Sequence, residues 1–242
     1  MDAMDYWAIA ERDIEIQNPV TDRKLRLLDD YCDIRSGLRV IDAGCGKAWV
    51  MRQWAEKHDI TGVGLEINPH FVRFAREAAT AKGIGNKLTF VEGPALDYEV
   101  ETDTFDIAIC LGATFALGGF VATLDWAANA VRPGGTVVVG DITLRHRPPH
   151  PIDERLPHDA LDTIGVIERH GAEVSATISA SEADFERYIS HHRHSTLAWG
   201  RQNPQHPDHA DVLKRSRDEW MYYLRVVRPY LGWTIYTARR RD

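Results

Sequence analysis

Val40-Ile41-Asp42-Ala43-Gly44-Cys45-Gly46-Lys47-Ala48-Trp49 is the stretch that decides how this chain folds. β-branched residues lead into Asp42, glycines follow at 44 and 46, and a helix-forming pattern then begins. A glycine has no Cβ, so the backbone there can approach a ligand closely. A helix starting just beyond also points its first N–H groups toward that ligand. The stretch therefore predicts a strand–turn–helix unit that receives a nucleotide-like cofactor with a negatively charged or carboxylate end.

The surrounding sequence repeats the strand–helix alternation. Strands are expected at Arg39–Asp42, Thr61–Glu66, Lys87–Glu92, Phe105–Cys110 and Thr136–Asp141, the last after a Pro133-Gly134-Gly135 turn. Two more are expected at Glu173–Ser179 and Trp233–Arg239. Helices are expected over Met4–Arg12, Thr21–Asp33, Ala48–His58, Pro69–Lys82 and His158–His170, the last closed by Gly171. Alternation of this kind implies a parallel α/β sheet with right-handed crossovers. Ligands then bind beyond the carboxyl ends of the strands, which gathers Asp42, Glu66, Gly93, Cys110 and Asp141 along one edge. Glu66 follows Asp42 by 24 residues, the spacing that sets a second-strand carboxylate beside the turn and within reach of a ribose. The alternative for Glu66 is a solvated cap of the helix near Asn68-Pro69.

The dinucleotide fingerprint G-x-G-x-x-G has its third glycine where this chain has Trp49. An acid followed by G-x-G-x-G fits better, with Ala48 standing in for the last glycine. This pattern, the acid at Glu66 and the Pro-Gly-Gly turn resemble the class I S-adenosylmethionine (SAM)-dependent methyltransferases. Cys110-Leu111-Gly112-Ala113-Thr114-Phe115, Ile16-Gln17-Asn18-Pro19 and Leu231-Gly232-Trp233 look like one bacterial subfamily of small-molecule methyltransferases. The resemblance implies a Rossmann-like sheet of seven strands, mostly parallel with the last antiparallel, and helices on both faces. It implies SAM as cofactor and S-adenosylhomocysteine as product. Cofactor contacts would come from Gln17, Asn18, Asp42, Gly44, Cys45 and Gly46, and from Glu66, Ile67, Gly93, Ala95, Cys110 and Leu111. One position departs from the pattern. Pro94 stands where the family usually has an aspartate for the adenine amino group, which leaves the Ala95 N–H, apolar packing, Glu92 or Asp97 for that contact.

The whole chain, 1–242, reads as one domain. Residues 1–36 read as N-terminal helices over the cofactor site. About fifty residues separate the sixth and seventh strands, far more than a common loop. This stretch, 181–230, reads as two helices, Glu182–Arg201 and Pro207–Arg228, inserted as a cap; an oligomerisation element is the alternative. The acceptor is expected between the N-terminal segment, the ends of strands 4 and 5, and the cap. Candidate acceptor residues are Tyr6, Trp7, Thr114, Phe115, Tyr188, Trp199, Trp220 and Tyr223, whose aromatic faces suit a planar or cationic molecule. Asp141 is the first candidate general base, followed by His191 and His192. Asp141 is alternatively a helix cap or a partner of Arg145.

Composition narrows the function classes. A net charge of −7 over 242 residues, with 44% hydrophobic and 27% charged residues, describes an ordinary soluble protein and argues against a nucleic-acid surface. No Asn/Asp-Pro-Pro-Tyr/Phe motif follows strand 4, where amino-group methylases of bases carry one. The three cysteines, Cys32, Cys45 and Cys110, have no metal-ligand spacing and suit a reducing cytoplasm. No leader and no membrane span is expected; the uncharged run Ile107–Leu124 reads as strand, turn and helix start. The pairs His191/His194 and His206/His209 are spaced for metal, but no carboxylate or cysteine completes a site, and none is expected. The reading is a SAM-dependent methyltransferase acting on a small molecule, as a monomer or homodimer. A catalytically inactive SAM-binding protein and a nicotinamide-dependent oxidoreductase are the alternatives.

Overall fold

A computed structural model describes residues 1–149 and 157–241. Seven strands form one sheet: β1 Arg39–Ala43, β2 Thr61–Glu66, β3 Leu88–Glu92, β4 Phe105–Leu111, β5 Val131–Leu144, β6 Ala172–Ser179 and β7 Leu231–Arg240. Their order is β3-β2-β1-β4-β5-β7-β6. The first five strands pair in parallel, and β7 runs antiparallel to both β5 and β6. The order reverses direction at β1, between β2 and β4, so the crevice at that switch point opens beside the glycine turn.

Successive strand residues face opposite sides, and each side is covered. Val40, Ile107, Ile109 and Val138 pack with the helices α4 (Trp49–His58) and α5 (Pro69–Ala81). Ile41, Ala108, Cys110, Val137 and Val139 pack with α6 (Phe120–Ala130) and α7 (Ala160–Arg169) on the other side. This double burial explains why the central stretches, 107–111 of β4 and 137–140 of β5, carry no polar side chain apart from the Cys110 thiol.

Four elements differ from the sequence reading. The helix expected over Thr21–Asp33 is two short ones, Asp22–Leu25 and Leu27–Tyr31, because Arg26 at ψ −17° tightens the turn. Leu25, Leu28 and Cys32 stay buried as the face required. Strand β5 begins earlier: Val131 already pairs with Phe105, and the next pair is Ile107 with Thr136, so Arg132–Gly135 loop out within the strand. The N-terminal helix, Ala3–Ala10, is capped by the Asp2 carboxylate, which accepts from Asp5 N–H. The insertion folds as Glu182–Gln202 and His209–Tyr222, followed by a π-turn at Tyr223–Val227 and a last turn at Arg228–Tyr230. We label the N-terminal helix α1 and the two insertion helices α8 and α9. The helix after β5 begins at Ala160; of the Arg145–Pro151 linker, His150 and Pro151 lie outside the described residues.

The insertion helices approach closely. A Cβ at Gly200 would stand 2.8 Å from the Leu213 side chain, and Thr196 Oγ1 lies 2.5 Å from Ser216 Oγ. Trp199 packs with Tyr6, Ala10 and Val212, which fixes α1 to this pair. No helix of the described residues is long and apolar enough to cross a membrane, and the run Ile107–Leu124 is β4, a 3₁₀ turn and the start of α6. Cys32, Cys45 and Cys110 are free thiols.

Gly140 sits where β5 passes under Trp233. A Cβ there would lie 2.7 Å from the Trp233 ring and 3.0 Å from Leu111 Cδ2. Gly140→Ala should lower the unfolding free energy by about 1–3 kcal/mol, the usual cost of overpacking. Urea unfolding would show a lower midpoint at unchanged slope; an unchanged midpoint would mean that the Trp233 ring moves aside freely.

Candidate functional site

The turn after β1 is built by close approach. Gly44 and Gly46 have φ of +68° and +56°. A Cβ on Gly44 would collide with the Ala113 methyl, and one on Gly46 with the Gln17 amide. Ala48 adopts φ +54°, so it occupies the left-handed conformation of the glycine it replaces.

The N–H groups from Gly44 to Ala48 are bonded inside the protein, whereas those of Trp49, Val50 and Met51, the first of the helix, take no backbone partner among the described residues. Gly44 and Cys45 both donate to the Leu65 carbonyl, at 2.8 and 3.0 Å. Gly46 donates to Glu66 Oε2 at 2.9 Å and Lys47 to Gln17 Oε1 at 2.5 Å. Ala48 donates to the Cys45 carbonyl at 2.8 Å. A pyrophosphate needs free N–H groups at such a turn. Those from Gly44 to Ala48 are spent inside the protein, which leaves the N–H groups of Trp49 to Met51 at the helix start.

Carboxylates take the place of free donors. Asp42 and Glu66 are both buried. Burial pushes the Asp42 carboxyl well above the usual range, and the neighbouring Glu66 charge pushes it further. Burial also raises Glu66, against the pull of the Asn68 and Gly46 N–H groups on its two oxygens. Each Glu66 oxygen keeps a lone pair for a ribose hydroxyl. A narrow cleft of about 50 Å³ runs beside this pair, lined by Gln17, Asn18, Asp42, Gly44, Cys45, Gly46 and Leu111 among others. Farther along the edge, Ile67 and Leu96 are 48% and 66% exposed and flank Gly93 and Ala95. Two uncovered apolar side chains at strand ends suit the flat face of a base. Pro94 is extended, and Glu92 and Asp97 are exposed at the end of β3.

The two cysteines of the site differ. Cys45 lines the cleft, whereas Cys110 is buried in β4 on the α6 side. Burial raises both thiols, so neither is a thiolate at neutral pH.

The N-terminal segment is tied over the turn by residues the sequence reading missed. Lys47 is buried, and its Nζ donates to the carbonyls of Glu11, Arg12 and Ile14 at 2.7, 3.3 and 2.5 Å. Arg52 Nε donates to the Lys47 carbonyl at 3.0 Å, and its NH2 meets Glu15 at 2.6 Å. Gln17 Nε2 donates to Glu11, which fixes the amide orientation. Asn18 Oδ1 accepts from Val20 N–H at 3.0 Å. A lysine directly after the second glycine was the signal for this clamp.

A second, larger cavity of about 830 Å³ opens on the other side of Gln17 and Asn18. Its wall brings together Trp7, Phe115, Asp141, Tyr188, His192, Trp220 and Tyr223, all expected at the acceptor site or as bases. It adds Gly112, Arg193, Ser216, Glu219 and Trp233. Asp141 accepts from the Thr114 hydroxyl and from Ile142 N–H at 2.6 Å. Burial raises its carboxyl, and these two bonds restrain the rise. The alternative roles of Asp141, a helix cap or a partner of Arg145, are not what the structure shows. Phe115 stands at the rim, 81% exposed.

Other expected residues lie elsewhere. His191 is exposed, because α8 turns it away when His192 points inward. Trp199 packs against Tyr6, and its ring meets His206 at 5.1 Å instead of the cavity. Tyr6 is buried behind the wall, donating to Glu219 at 2.5 Å beneath the Arg215 guanidinium. Thr114 acts from beneath Asp141. Among the described residues no three His, Cys, Asp or Glu side chains gather as a metal site, and His191 and His194 are both exposed.

The chain matches, over residues 34–222, the family described as a methyltransferase domain. It is 26% identical to the protein YjhP of Escherichia coli over 252 aligned residues, covering 100% of each. The crystal structure of a SAM-dependent methyltransferase from Geobacter sulfurreducens, in complex with S-adenosylhomocysteine, superposes with a TM-score of 0.91 at 27% identity over 98% of both chains. One from Thiobacillus denitrificans, also with S-adenosylhomocysteine, gives 0.89 at 27% identity over 100% of both. The inward-bonded turn, the paired buried carboxylates and these likenesses agree: the chain belongs to the methyltransferase-domain family and has the fold of the class I SAM-dependent methyltransferases.

Proposed function

We propose that this protein binds SAM at the glycine turn and transfers its methyl group to a small molecule held in the 830 Å³ cavity. The observation that carries the reading is the shared wall. Gln17 and Asn18 line both the cofactor cleft and the cavity, so the two meet at one partition. Glu66 holds the ribose, Asp42 balances the cationic end of the cofactor, and Ile67 with Leu96 covers the base. Bound there, SAM supplies an electrophilic methyl group on a sulfonium.

The residues of the chain then align, desolvate and accept a proton. Residues 181–230 serve as a cap that excludes water, and residues 1–36 close the cofactor side. The aromatic wall of Trp7, Tyr188, Trp220, Tyr223 and Trp233 holds an apolar or aromatic body. Asp141 receives the O–H or N–H of the reacting atom. The proton that the reacting atom loses in the transfer would pass to the Asp141 carboxylate. A raised carboxyl is a stronger base than an ordinary one, which suits that task. His192, on the opposite wall, orients the acceptor. The acidic chain and a cavity of about 830 Å³ with several aromatic side chains in its wall favour a small molecule over a nucleic acid.

Incubation with methyl-labelled SAM and a small-molecule extract tests the reading. Label should appear in a low-mass product together with S-adenosylhomocysteine. Label in protein or nucleic acid would contradict the acceptor class, and cofactor binding with no transfer would favour a non-catalytic SAM-binding protein.

Two substitutions separate the roles. Glu66→Ala should weaken S-adenosylhomocysteine binding by about 1–3 kcal/mol, the cost of leaving buried partners unpaired; calorimetry would read it, and unchanged affinity would remove Glu66 from the ribose. Asp141→Asn should slow transfer by about 10²-fold or more, within the range for a lost general base. Because the folded-state carboxyl of Asp141 is raised, its contribution to stability is full below the unfolded value and lost as pH rises through the folded one. At neutral pH the ionised group therefore costs stability, and the Asn variant should melt no lower than the wild type. The wild-type rate should fall with acid at a pH above the ordinary carboxylate value of about 3.9, and the Asn variant should lack that limb. Full-speed transfer by Asp141→Asn would end its role as base.

A further inference from the structure

Glu11 lines neither the cofactor cleft nor the acceptor cavity, yet its carboxylate touches the wall of both. It is 6% exposed, and no solvent answers its charge. From the cavity side, the Tyr188 hydroxyl donates to Oε1 at 2.7 Å, and His192 Nε2 lies 3.3 Å from the same oxygen. From the cofactor side, Gln17 Nε2 donates to Oε2. Burial alone would raise this carboxyl, but the His192, Gln17 and Tyr188 contacts overcome it and hold the group below its ordinary value. Glu11 is thus an ionised group kept in the interior by two donors, the Tyr188 hydroxyl of the cavity wall and the Gln17 amide, with the His192 ring beside it.

We propose that Glu11 is a positioning residue that couples the acceptor cavity to the cofactor turn. The path is continuous. Tyr188 and His192 hold Glu11, Glu11 fixes the Gln17 amide, and Gln17 Oε1 receives the Lys47 N–H inside the glycine turn. The amide fits there because Gly46 has no Cβ; one would overlap Gln17 Oε1. Gln17 can satisfy Lys47 and Glu11 together in only one flip state, since its oxygen must face the turn and its nitrogen the carboxylate. The Tyr188 and His192 rings stand 4.2 Å apart, so an acceptor that displaces either shifts the donors of Glu11. The shift reaches the cofactor partition through a single amide. By reciprocity, a bound cofactor that presses on Gln17 sets the Tyr188 wall. The device makes cofactor and acceptor bind cooperatively, although no residue of the path except Gln17 lines both spaces.

The inference rests on the reading of the glycine turn as the cofactor site. Its test is a double-mutant cycle on S-adenosylhomocysteine affinity, using wild type, Tyr188→Phe, Gln17→Leu and the double variant, with calorimetry and a thermal melt of each. Tyr188→Phe removes one hydroxyl from the cavity side only. It should nevertheless weaken S-adenosylhomocysteine binding by about fivefold, a modest coupling. In the Gln17→Leu background, where the path is already cut, the same change should have no further effect. A purely structural role would instead lower the melting temperature and multiply the two losses. Full wild-type affinity in Tyr188→Phe, or losses that multiply, would overturn the relay. Glu11→Gln, which keeps the shape and removes the charge that Tyr188 meets, runs the same cycle if Tyr188→Phe does not fold. Wild type that binds no S-adenosylhomocysteine would overturn the cofactor reading itself, a result distinct from either.

Discussion

Lys47 carries a charge into the interior and spends it on three backbone carbonyls at the end of the N-terminal helix, those of Glu11, Arg12 and Ile14. Burial lowers its ammonium pKa, and the nearby Glu11, Glu15 and Asp13 charges hold it up. The Phe74 ring lies 4.8 Å below the ammonium. A buried ammonium is costly unless its donors are met, so the N-terminal segment is not free to leave the glycine turn. That constraint places Gln17 and Asn18 between the two spaces of the site. It also explains why Gly46 must be glycine, since the Gln17 amide occupies the volume of a Cβ.

A different use of the same turn follows. In a dinucleotide fold the turn keeps its N–H groups for phosphate. Here the groups from Gly44 to Ala48 are bonded to Leu65, Glu66, Gln17 and Cys45, and the buried Asp42 lines the cleft, with Glu66 held at Gly46 N–H behind it. A cofactor with cationic sulfur and ammonium groups and no phosphate complements that arrangement. The free energy spent on desolvating Asp42 and Glu66 is returned only when positive charge or ribose hydroxyls arrive.

The sheet, its crossovers and the edge that carries the site were legible because their signals are local and periodic. Val40–Trp49, Thr61–Glu66 and the Val-rich β5 each declare strand and direction by residue type. Ala48 was legible as a glycine substitute, since it is small and stands at the right interval. What could not be read is what depends on contacts between distant segments. Gln17 and Glu11 meet Lys47 across 30 and 36 residues, and Glu11 meets Tyr188 across 177. No periodicity reports such a junction. Helix phase also decides between neighbours: His191 and His192 are equivalent in sequence, yet only the second faces inward. Trp199 looked like a pocket aromatic, and its core role follows from Val212 and Tyr6 closing on it.

The central claim is that the turn, with the N–H groups of Gly44 to Ala48 satisfied inside the protein and the buried Asp42 lining the cleft, accepts an S-adenosyl cofactor and refuses a dinucleotide. Calorimetric titration of the protein with S-adenosylhomocysteine, with NADH as control, tests it most directly. The account predicts saturable one-to-one binding of S-adenosylhomocysteine at micromolar concentration, about −8 kcal/mol, and no heat from NADH. Binding of NADH with none of S-adenosylhomocysteine would contradict it.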